Sequence, residues 1–395
     1  MTNATQSPAT YEKAERLKQL PPYLFVEIDR AKRKLQAAGK DVIDLGVGDP
    51  DLPTPPHILE ALKKAADDPA NHRYSFTEGI PELREAIAGW YQRRFGVTLD
   101  PQTEILPLLG SKEGIANFPL AICNPGDVVL VPDPCYPPYR SGAIFAGAEV
   151  ISMPLLEENG FFPDLGAISQ KAARRAKIMF LNYPNNPTAA VASTEQFQEA
   201  IALAKDYGIS IAHDAAYPEI AFVGYKPESF LQLPEAKSVG VEFHSLSKTY
   251  NMTGWRIGWV CGSAKLITAL SQLKTNIDSG IFQAIQWAGI AALEGAQQLL
   301  QDTVATYQQR RDLLVDGLAK AGWQMAKPTA TFYVWTRLPT QETSIAFATR
   351  VLEQSHVVIT PGVGFGPSGE GYVRLSLTIP TERIQEAIER LSKAL

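Results

Sequence analysis

The sequence contains little that would suit a secreted or membrane protein. Its 395 residues include only three cysteines, Cys123, Cys135 and Cys261, too widely spaced for a disulfide framework or a CxxC pair. Widely spaced, reduced thiols are typical of cytoplasmic proteins. Residues 1–22 are polar and of mixed charge, unlike a secretory signal, and no apolar run reaches the length of a membrane span. We therefore expect a cytoplasmic protein without a membrane partner.

The chain also lacks a basic stripe or a large excess of one charge. Its formal net charge is −5, with the two signs mixed along the sequence. This argues against nucleic acid or an anionic membrane as the main partner, so acidic small molecules must be met by individual arginines. The content of 45% hydrophobic and 20% charged residues is that of an ordinary globular protein. At this length one core usually divides, which predicts a large and a smaller domain.

Short β-rich runs alternate with helical patterns along most of the chain. Runs such as "DVVLV" and "KIMFL" are almost wholly apolar, which is typical of parallel strands covered on both faces. From about residue 290 the pattern predicts a small antiparallel α+β unit. We therefore predict an α/β fold, with a large domain over residues 50–290 and a smaller one formed by residues 1–49 and 291–395. The predicted strands are 104–109, 127–131, 177–181, 208–213 and 238–244; the predicted helices are 57–68, 80–94, 111–122, 194–207, 263–275, 282–321 and one from 381.

Unusual polar residues follow each of the five predicted strands. In open parallel sheets, ligands bind beyond the carboxyl ends of the strands, where loops and helix N-termini converge. Five loops are therefore predicted to face one site. They carry Gly110 to Lys112, Tyr136, Asn186, Asp214 to Tyr217, and Ser245 to Lys248.

Gly110, Ser111 and Lys112 come between a predicted strand and a helix. Free backbone N–H groups at such a helix start bind phosphate, although Gly-Ser before a helix is also an ordinary N-cap. Ser245, Ser247 and Arg256 strengthen the phosphate interpretation because they would add donors around the same anion.

Asp214 and Lys248 each allow two interpretations. A buried carboxylate at a strand end needs a cationic partner, which for Asp214 is either a protein arginine or a protonated heterocyclic nitrogen. Lys248, in a pocket expected to contain Tyr136, Tyr217 and Asn186, is either a point charge for phosphate or a desolvated amine able to form a Schiff base. Its place directly after a strand argues against a solvated surface lysine.

Three motifs resemble one enzyme family. "SLSKTYNMTGWRIG" is similar to the lysine signature of fold-type I pyridoxal-phosphate enzymes of the class I/II aminotransferase family, and "YPNNPT" and "HDAAY" precede it in the family's order. The resemblance covers essentially the whole chain. It implies a fold-type I structure, pyridoxal 5′-phosphate as cofactor and a homodimer whose active site is shared between subunits.

The resemblance also implies a role for each matching residue. Lys248 would be the Schiff-base lysine and proton carrier, and Asp214 would pair with the pyridine nitrogen. Asn186 and Tyr217 would bind the ring's phenolate oxygen, while Tyr136 would stack on the ring. The implied phosphate contacts are Ser111, Lys112, Ser245, Ser247 and Arg256, with Tyr74 from the partner subunit.

Segments near both ends resemble one branch of that family. They are "LPPYLFVEIDRAKRK", "DVIDLGVGDPD" and "TPGVGFGPSGEGYVRLSL", and members of the branch transaminate LL-2,6-diaminopimelate with 2-oxoglutarate in lysine biosynthesis. Taken alone, "LPPYLF" could instead dock the N-terminal segment by burying apolar side chains. The implied substrate contacts are Arg374 for the α-carboxylate, then Tyr23, Gly48, Lys112, Asn186 and, from the neighbouring subunit, Asn276.

Two departures from the family pattern leave other functions open. Ala189 stands where many members have glycine, and "HRYSFTEGIP" replaces the "RGYGP"-type turn of the branch. The alternative activity is transamination of alanine, aspartate or aromatic amino acids with 2-oxoglutarate. A regulator that controls DNA binding through an aminotransferase-like domain would need a helix-turn-helix, and residues 1–49 show neither its two helices nor a basic face. No metal site is expected.

Overall fold

The computed structural model describes residues 12–20, 24–76 and 78–395, without the side chains of Leu24 and Phe25. The strands in this part of the chain are β1 (Ile43–Asp44), β2 (Ile105–Leu108), β3 (Val128–Asp133), β4 (Glu149–Pro154), β5 (Ala176–Asn182), β6 (Ser210–Asp214), β7 (Gly240–Ser245), β8 (Gly258–Gly262), β9 (Tyr333–Arg337), β10 (Val357–Val358), β11 (Thr360–Pro361) and β12 (Tyr372–Ser376).

The α-helices of the described residues connect these strands or flank them. They are α1 (Glu15–Lys18), α2 (Leu24–Ala37), α3 (Pro56–Ala66), α4 (Pro81–Phe95), α5 (Ser111–Ile122), α6 (Pro138–Phe145), α7 (Gln170–Arg175), α8 (Thr194–Tyr207), α9 (Ala236–Val239), α10 (Leu246–Thr249), α11 (Ala264–Thr275), α12 (Gln283–Glu294), α13 (Gln298–Lys320), α14 (Ser344–Ser355) and α15 (Thr381–Ala394). None of them is both long and apolar enough to cross a bilayer.

A seven-stranded sheet forms the larger part of the molecule. Its strand order is β2-β8-β7-β6-β5-β3-β4, and all neighbours are parallel except that β8 runs antiparallel to β2 and β7. Residues on alternate sides of one strand, such as Leu130 and Val131, pack into two different apolar clusters. The sheet is therefore covered on both faces, and the predicted α/β class with a mostly parallel sheet is confirmed.

A second apolar core lies around a small antiparallel sheet. Strands β11, β12 and β9 form this sheet, and β1 pairs in parallel with β10 beside it. Phe332, Val351 and Leu391 are buried in its core. The pairing of β1 brings an N-terminal segment against the C-terminal part of the chain, while the domain boundaries at residues 50 and 290 stay a prediction.

The structure differs from the sequence prediction in several places. Residues 1–49 contain helices α1 and α2, although the sequence predicts no two helices there, and β4 and α6 lie where no element was predicted. The helix predicted over 282–321 is interrupted between α12 and α13, where Gln297 Nε2 donates to the carbonyl oxygens of Ala292 (3.3 Å) and Gly295 (2.7 Å) and so caps α12. Strand β8 lies where the sequence predicts none, because Gly258 and Gly262 weaken the strand pattern. A Cβ on Gly258 would come within 2.5 Å of the His244 carbonyl oxygen, so that close backbone approach needs glycine.

Candidate active site

A cavity of about 560 Å³ opens at the carboxyl ends of the parallel strands, where β9 and β12 approach the large sheet. Twelve of the residues predicted for the site line it: Gly48, Ser111, Lys112, Tyr136, Asn186, Asp214, Tyr217, Ser245, Ser247, Lys248, Arg256 and Arg374. The fold brings these positions together from seven separate parts of the chain. The described residues contain no cluster of histidine, cysteine and carboxylate groups that could hold a metal ion.

Two predicted residues, Tyr74 and Asn276, do not line the cavity. Tyr74 is 76% exposed, and Asn276 is exposed with its Nδ2 donating to the Gln272 carbonyl oxygen at 2.9 Å. Both were predicted to act from a neighbouring subunit, and those roles stay predictions. Tyr23 lies outside the described residues.

Lys248 reaches the cavity from α10, directly after β7. Its Nζ donates to the Gly48 carbonyl oxygen at 3.0 Å and lies 5.9 Å from the centroid of the Phe332 ring. Burial lowers the pKa of Lys248 from 10.5 to about 8, with Asp49 opposing this effect and Arg374 and Arg256 adding to it. At pH 7 about a tenth of this amine is therefore neutral and nucleophilic, compared with less than about a thousandth for an ordinary lysine.

The lowered pKa predicts how Lys248 reacts with an amine reagent in the protein without cofactor. Acetic anhydride acylates only neutral amines, so labelling of Lys248 should rise about tenfold per pH unit up to about pH 8 and then level off. Peptide mass spectrometry after short pulses measures the profile. In the unfolded chain, as control, the midpoint should return to the ordinary value of about 10.4. A midpoint near that value in the folded protein would contradict the effect of burial.

Asp214 ends β6, and among the described residues only one of its two carboxylate oxygens has a hydrogen-bond partner. Tyr139 donates its hydroxyl to Oδ2 at 2.8 Å, and Asn182 Nδ2 donates to the Asp214 carbonyl oxygen at 2.6 Å. Oδ1 is buried and has no hydrogen-bond partner among the described residues. Burial raises the pKa of Asp214 from 3.8 to about 6. A cationic or N–H group from a ligand would satisfy Oδ1, whereas the described contacts include no arginine there.

The start of α5 lies at one end of the cavity, called here the anion-binding end after the role predicted for it. Its N-cap is Gly110, in the left-handed region (φ 77°), and Ser111 is already the first helical residue, so no side chain caps this helix. Arg256 donates from Nη2 to the Leu109 carbonyl oxygen (3.2 Å) and from Nη1 to that of Thr253 (3.0 Å). A Cβ on Gly110 would come within 2.3 Å of Arg256 Nη2. These contacts favour anion binding over an ordinary cap.

The hydroxyls on the other side of this end come from α10. Ser245 is its N-cap, and the Ser245 Oγ accepts from the Ser247 backbone N–H at 3.1 Å. Both serines are buried and line the cavity. Together with Lys112 and Arg256 they surround one end of the cavity with donors and positive charge, as a phosphate group requires.

Arg374 lines the cavity from β12. It is 3% exposed, and it donates from Nη1 to Asn186 Oδ1 and from Nη2 to the Gly46 carbonyl oxygen, both at 2.7 Å. The guanidinium carbon lies 4.1 Å from the Tyr333 ring centroid and 4.7 Å from that of Phe365. These contacts fix the orientation of the Arg374 guanidinium, a planar group of the kind that binds carboxylates.

Several residues that line the cavity or support its lining were not predicted from the sequence. Tyr139 lies three positions after Tyr136 and donates its backbone N–H to the Tyr136 carbonyl oxygen at 3.2 Å, and this spacing could have indicated it. Asn182 supports the site from both sides, since its Oδ1 also accepts from the Asn186 backbone N–H at 2.8 Å. Tyr333 and Phe365 carry no local signal, because they reach the cavity only through the packing of the small sheet.

Tyr217 faces the cavity with its hydroxyl 3.2 Å from that of Tyr333. Burial raises the pKa of Tyr217 well above its ordinary value, so the phenol stays neutral and can donate.

Ala189, in "NNPTA", has a strained backbone conformation. Its backbone lies in the left-handed region (φ 58°), where glycine has no steric penalty and alanine does. The Ala189 N–H still donates to the Asn185 carbonyl oxygen at 3.0 Å, and Asn186 keeps its place in the cavity. The substitution therefore affects the loop after Asn186 and leaves the asparagine itself in position.

Comparison with known proteins places the chain in a family. The family described as aminotransferase class I and II matches residues 40–391. The LL-diaminopimelate aminotransferase of Syntrophobacter fumaroxidans is 56% identical, covering 97% of this chain and 99% of its own, and that of Moorella thermoacetica is 54% identical, covering 97% and 98%. The apo-BacF structure from Bacillus subtilis superposes with a TM-score of 0.94 at 41% identity, covering 97% and 98%. The chain thus belongs to the class I and II aminotransferase family.

Proposed function

We propose that this chain transfers an amino group between LL-2,6-diaminopimelate and 2-oxoglutarate, reversibly forming tetrahydrodipicolinate and glutamate in lysine biosynthesis. The observation that carries the proposal is that one partly buried amine, Lys248, lies in a single cavity with the buried Asp214 carboxylate and the Arg374 guanidinium. Relatives that are more than half identical over nearly their whole length carry the name of that reaction, which supports the choice of substrate.

The cavity residues fit pyridoxal 5′-phosphate as cofactor. The buried Asp214 Oδ1 lacks a partner among the described residues, which suits a protonated ring nitrogen, and the uncapped start of α5 suits the phosphate. In this proposal Asn186 and Tyr217 bind the ring oxygen and Tyr136 stacks on the ring. The phosphate is held by Ser111, Lys112, Ser245, Ser247 and Arg256. When bound, the cofactor withdraws electrons from the substrate's α-carbon and makes its proton acidic.

The chain's own groups then have separate tasks. Lys248, with a pKa of about 8, accepts and returns at Nζ the proton taken from the α-carbon. Arg374 binds the α-carboxylate, since Asn186 and Gly46 fix the plane of its guanidinium. Burial raises the pKa of Asp214 to about 6, so its carboxylate is mostly ionised at neutral pH, and a positive charge on the ligand would stabilise that form further.

The distal end of the substrate calls for a different set of contacts. LL-diaminopimelate carries an ammonium and a carboxylate group at each end, so the end that does not react needs mixed polar partners. We assign these to Gly48, Lys112 and Tyr23, with Asn186 near the reacting end. Gly48 and Lys112 line the cavity, and Lys112 is exposed at its edge.

We further propose a cytoplasmic homodimer in which Tyr74 and Asn276 complete the partner's site. The surface that carries them exposes apolar side chains, with Phe76 80%, Ile277 52% and Phe282 44% exposed. Mixing a Tyr74→Ala chain with a Lys248→Ala chain should form heterodimers that contain one intact site. Recovery of activity on mixing supports the shared site, and no recovery from stably mixed dimers would contradict it.

A substrate panel tests the proposed reaction. With 2-oxoglutarate as acceptor, turnover of LL-diaminopimelate should exceed that of alanine, aspartate and phenylalanine by at least about a hundredfold in kcat/KM, because only this donor uses the polar contacts at the distal end. Glutamate formation measured in a coupled assay gives each value, and the meso isomer is included for comparison. Alanine, aspartate or phenylalanine turned over faster than LL-diaminopimelate would assign the chain to another aminotransferase reaction.

A further inference from the structure

Tyr333 occupies a central place in the cavity wall and contacts groups with different tasks. It begins β9, is 2% exposed and pairs with Ser376 of β12 in the small sheet. Its backbone N–H donates to Thr331 Oγ1 at 3.1 Å. The backbone of Tyr333 is therefore fixed by its own sheet, independently of any ligand.

The ring of Tyr333 supports Arg374. The guanidinium carbon lies 4.1 Å from the ring centroid, well inside the range of a favourable cation–π contact. The hydrogen bonds from Arg374 to Asn186 and Gly46 fix two of its nitrogens, and the ring restricts motion perpendicular to the guanidinium plane. The orientation of Arg374 thus depends on an aromatic ring at position 333.

The hydroxyl of Tyr333 supports Tyr217. The two hydroxyl oxygens are 3.2 Å apart, and either can be the donor. A phenol has a single proton, so if Tyr217 donates that proton to a ligand oxygen in the cavity, the shared hydrogen bond must be donated by Tyr333. A donor that itself accepts a hydrogen bond is strengthened, since such chains are cooperative.

A third contact links Tyr333 to the backbone beside Lys248. A Cβ on Gly48 would come within 2.0 Å of the Tyr333 hydroxyl oxygen, so only glycine leaves room for that hydroxyl. The carbonyl oxygen of the same glycine accepts from Lys248 Nζ at 3.0 Å. The hydroxyl therefore sits in a space that residue 48 provides.

We propose that Tyr333 is a positioning residue: its hydroxyl directs the Tyr217 proton into the cavity, and its ring holds Arg374 in the orientation that binds a carboxylate. The inference rests on the function proposed above, since it takes Tyr217 to face the cofactor's ring oxygen and Arg374 to face the substrate. The two parts of the side chain affect different observables, which allows them to be tested separately.

Two substitutions in the holoenzyme separate the hydroxyl from the ring. Tyr333→Phe removes only the hydroxyl, so the pH midpoint of the bound cofactor's visible absorption should rise by about 0.2 to 0.7 units as Tyr217 becomes a weaker donor. Tyr333→Leu also removes the ring, and KM for 2-oxoglutarate should rise by about 3- to 30-fold with a smaller change in kcat. Tyr333→Met replaces the leucine variant if the latter does not fold.

Tyr307→Phe is the matched control. Tyr307 is also buried and packs against Phe332, as Tyr333 does, but its hydroxyl has no hydrogen-bond partner among the described residues. The Tyr307→Phe substitution should leave both the pH midpoint of the visible absorption and the KM for 2-oxoglutarate unchanged. An unshifted midpoint in Tyr333→Phe, or an unchanged KM in Tyr333→Leu or its methionine substitute, would overturn the proposal. Failure of the proposed function is distinguishable, because the unsubstituted enzyme would then lack the visible absorption or the transamination itself.

Discussion

Replacing Lys248 with alanine should reduce transamination by roughly 10⁴-fold or more, because the chain loses both its attachment point for the cofactor and its proton carrier. The structure offers no obvious substitute in the described residues. Lys112, the other lysine that lines the cavity, is exposed at the anion-binding end. The purified variant should also lose the visible absorption that depends on covalent attachment to Lys248. Single-turnover assays and absorption spectra measure the two effects together.

Lys265→Ala provides a control for this result. Lys265 is exposed on α11 and does not line the cavity, so its replacement should leave the spectrum and the rate unchanged. A Lys248→Ala protein that retained the visible band would show that another amine holds the cofactor. It would then remove the basis of the proposed function.

Replacing Asp214 with asparagine should lower kcat by roughly 10²- to 10³-fold while preserving the shape of the site. Asparagine can still accept the hydrogen bond from Tyr139, but it carries no charge to stabilise a protonated ring nitrogen. Titration with cofactor should show weaker binding, and steady-state assays should show that kcat falls more than KM changes. A rate within threefold of the original would exclude Asp214 as the partner of the ring nitrogen.

Asp133→Asn is the matched control for this substitution. Asp133 also ends a strand of the large sheet and is buried, and burial raises its pKa above the ordinary value. Its Oδ1 accepts from the Ser368 backbone N–H at 3.2 Å, which asparagine can also do. This variant should keep its activity, so a loss specific to position 214 would reflect the ligand and not the removal of a buried carboxylate.

In the protein without cofactor, Asp214→Asn should raise the stability of the fold, although the same substitution lowers the rate of the reaction. Because burial raises the pKa of Asp214 from 3.8 to about 6, the stability of the apoprotein falls as pH rises from about 4 to about 6. An asparagine at this position would avoid that loss. The variant apoprotein should therefore unfold at a higher temperature than the parent at pH 7, and the difference should disappear below pH 4.

The residues that could be predicted from the sequence are those whose position follows from a single strand. Asp214 ends β6, and Asn186 and Lys248 lie within four residues of the ends of β5 and β7, so recognising the strands was enough to place them at one edge of the sheet. The predicted strand at 208–213 and the observed Ser210–Asp214 differ by at most two residues, and this error did not move Asp214 away from the strand end.

The contacts between these residues could not be predicted in the same way. Arg374 bonds to Asn186 across 188 positions of sequence, and Tyr217 meets Tyr333 across 116. Such pairs depend on how the small sheet packs against the large one, which no local pattern records. The lack of a hydrogen-bond partner for Asp214 Oδ1 among the described residues also depends on packing, because a sequence does not show which side chains come near that atom.

The backbone of Gly46 to Gly48 joins two functions that the sequence keeps far apart. The Gly46 carbonyl oxygen accepts from Arg374, and the Gly48 carbonyl oxygen accepts from Lys248, so a segment of three residues contacts both the Arg374 guanidinium and the Lys248 amine. A shift of this segment on binding of a substrate's carboxylate would also change the hydrogen bond from Lys248 Nζ to the Gly48 carbonyl oxygen. In the proposed function these two groups bind the substrate's carboxylate and carry its proton, so we expect substitutions at residues 46–48 that broaden the substrate range to change the catalytic rate as well.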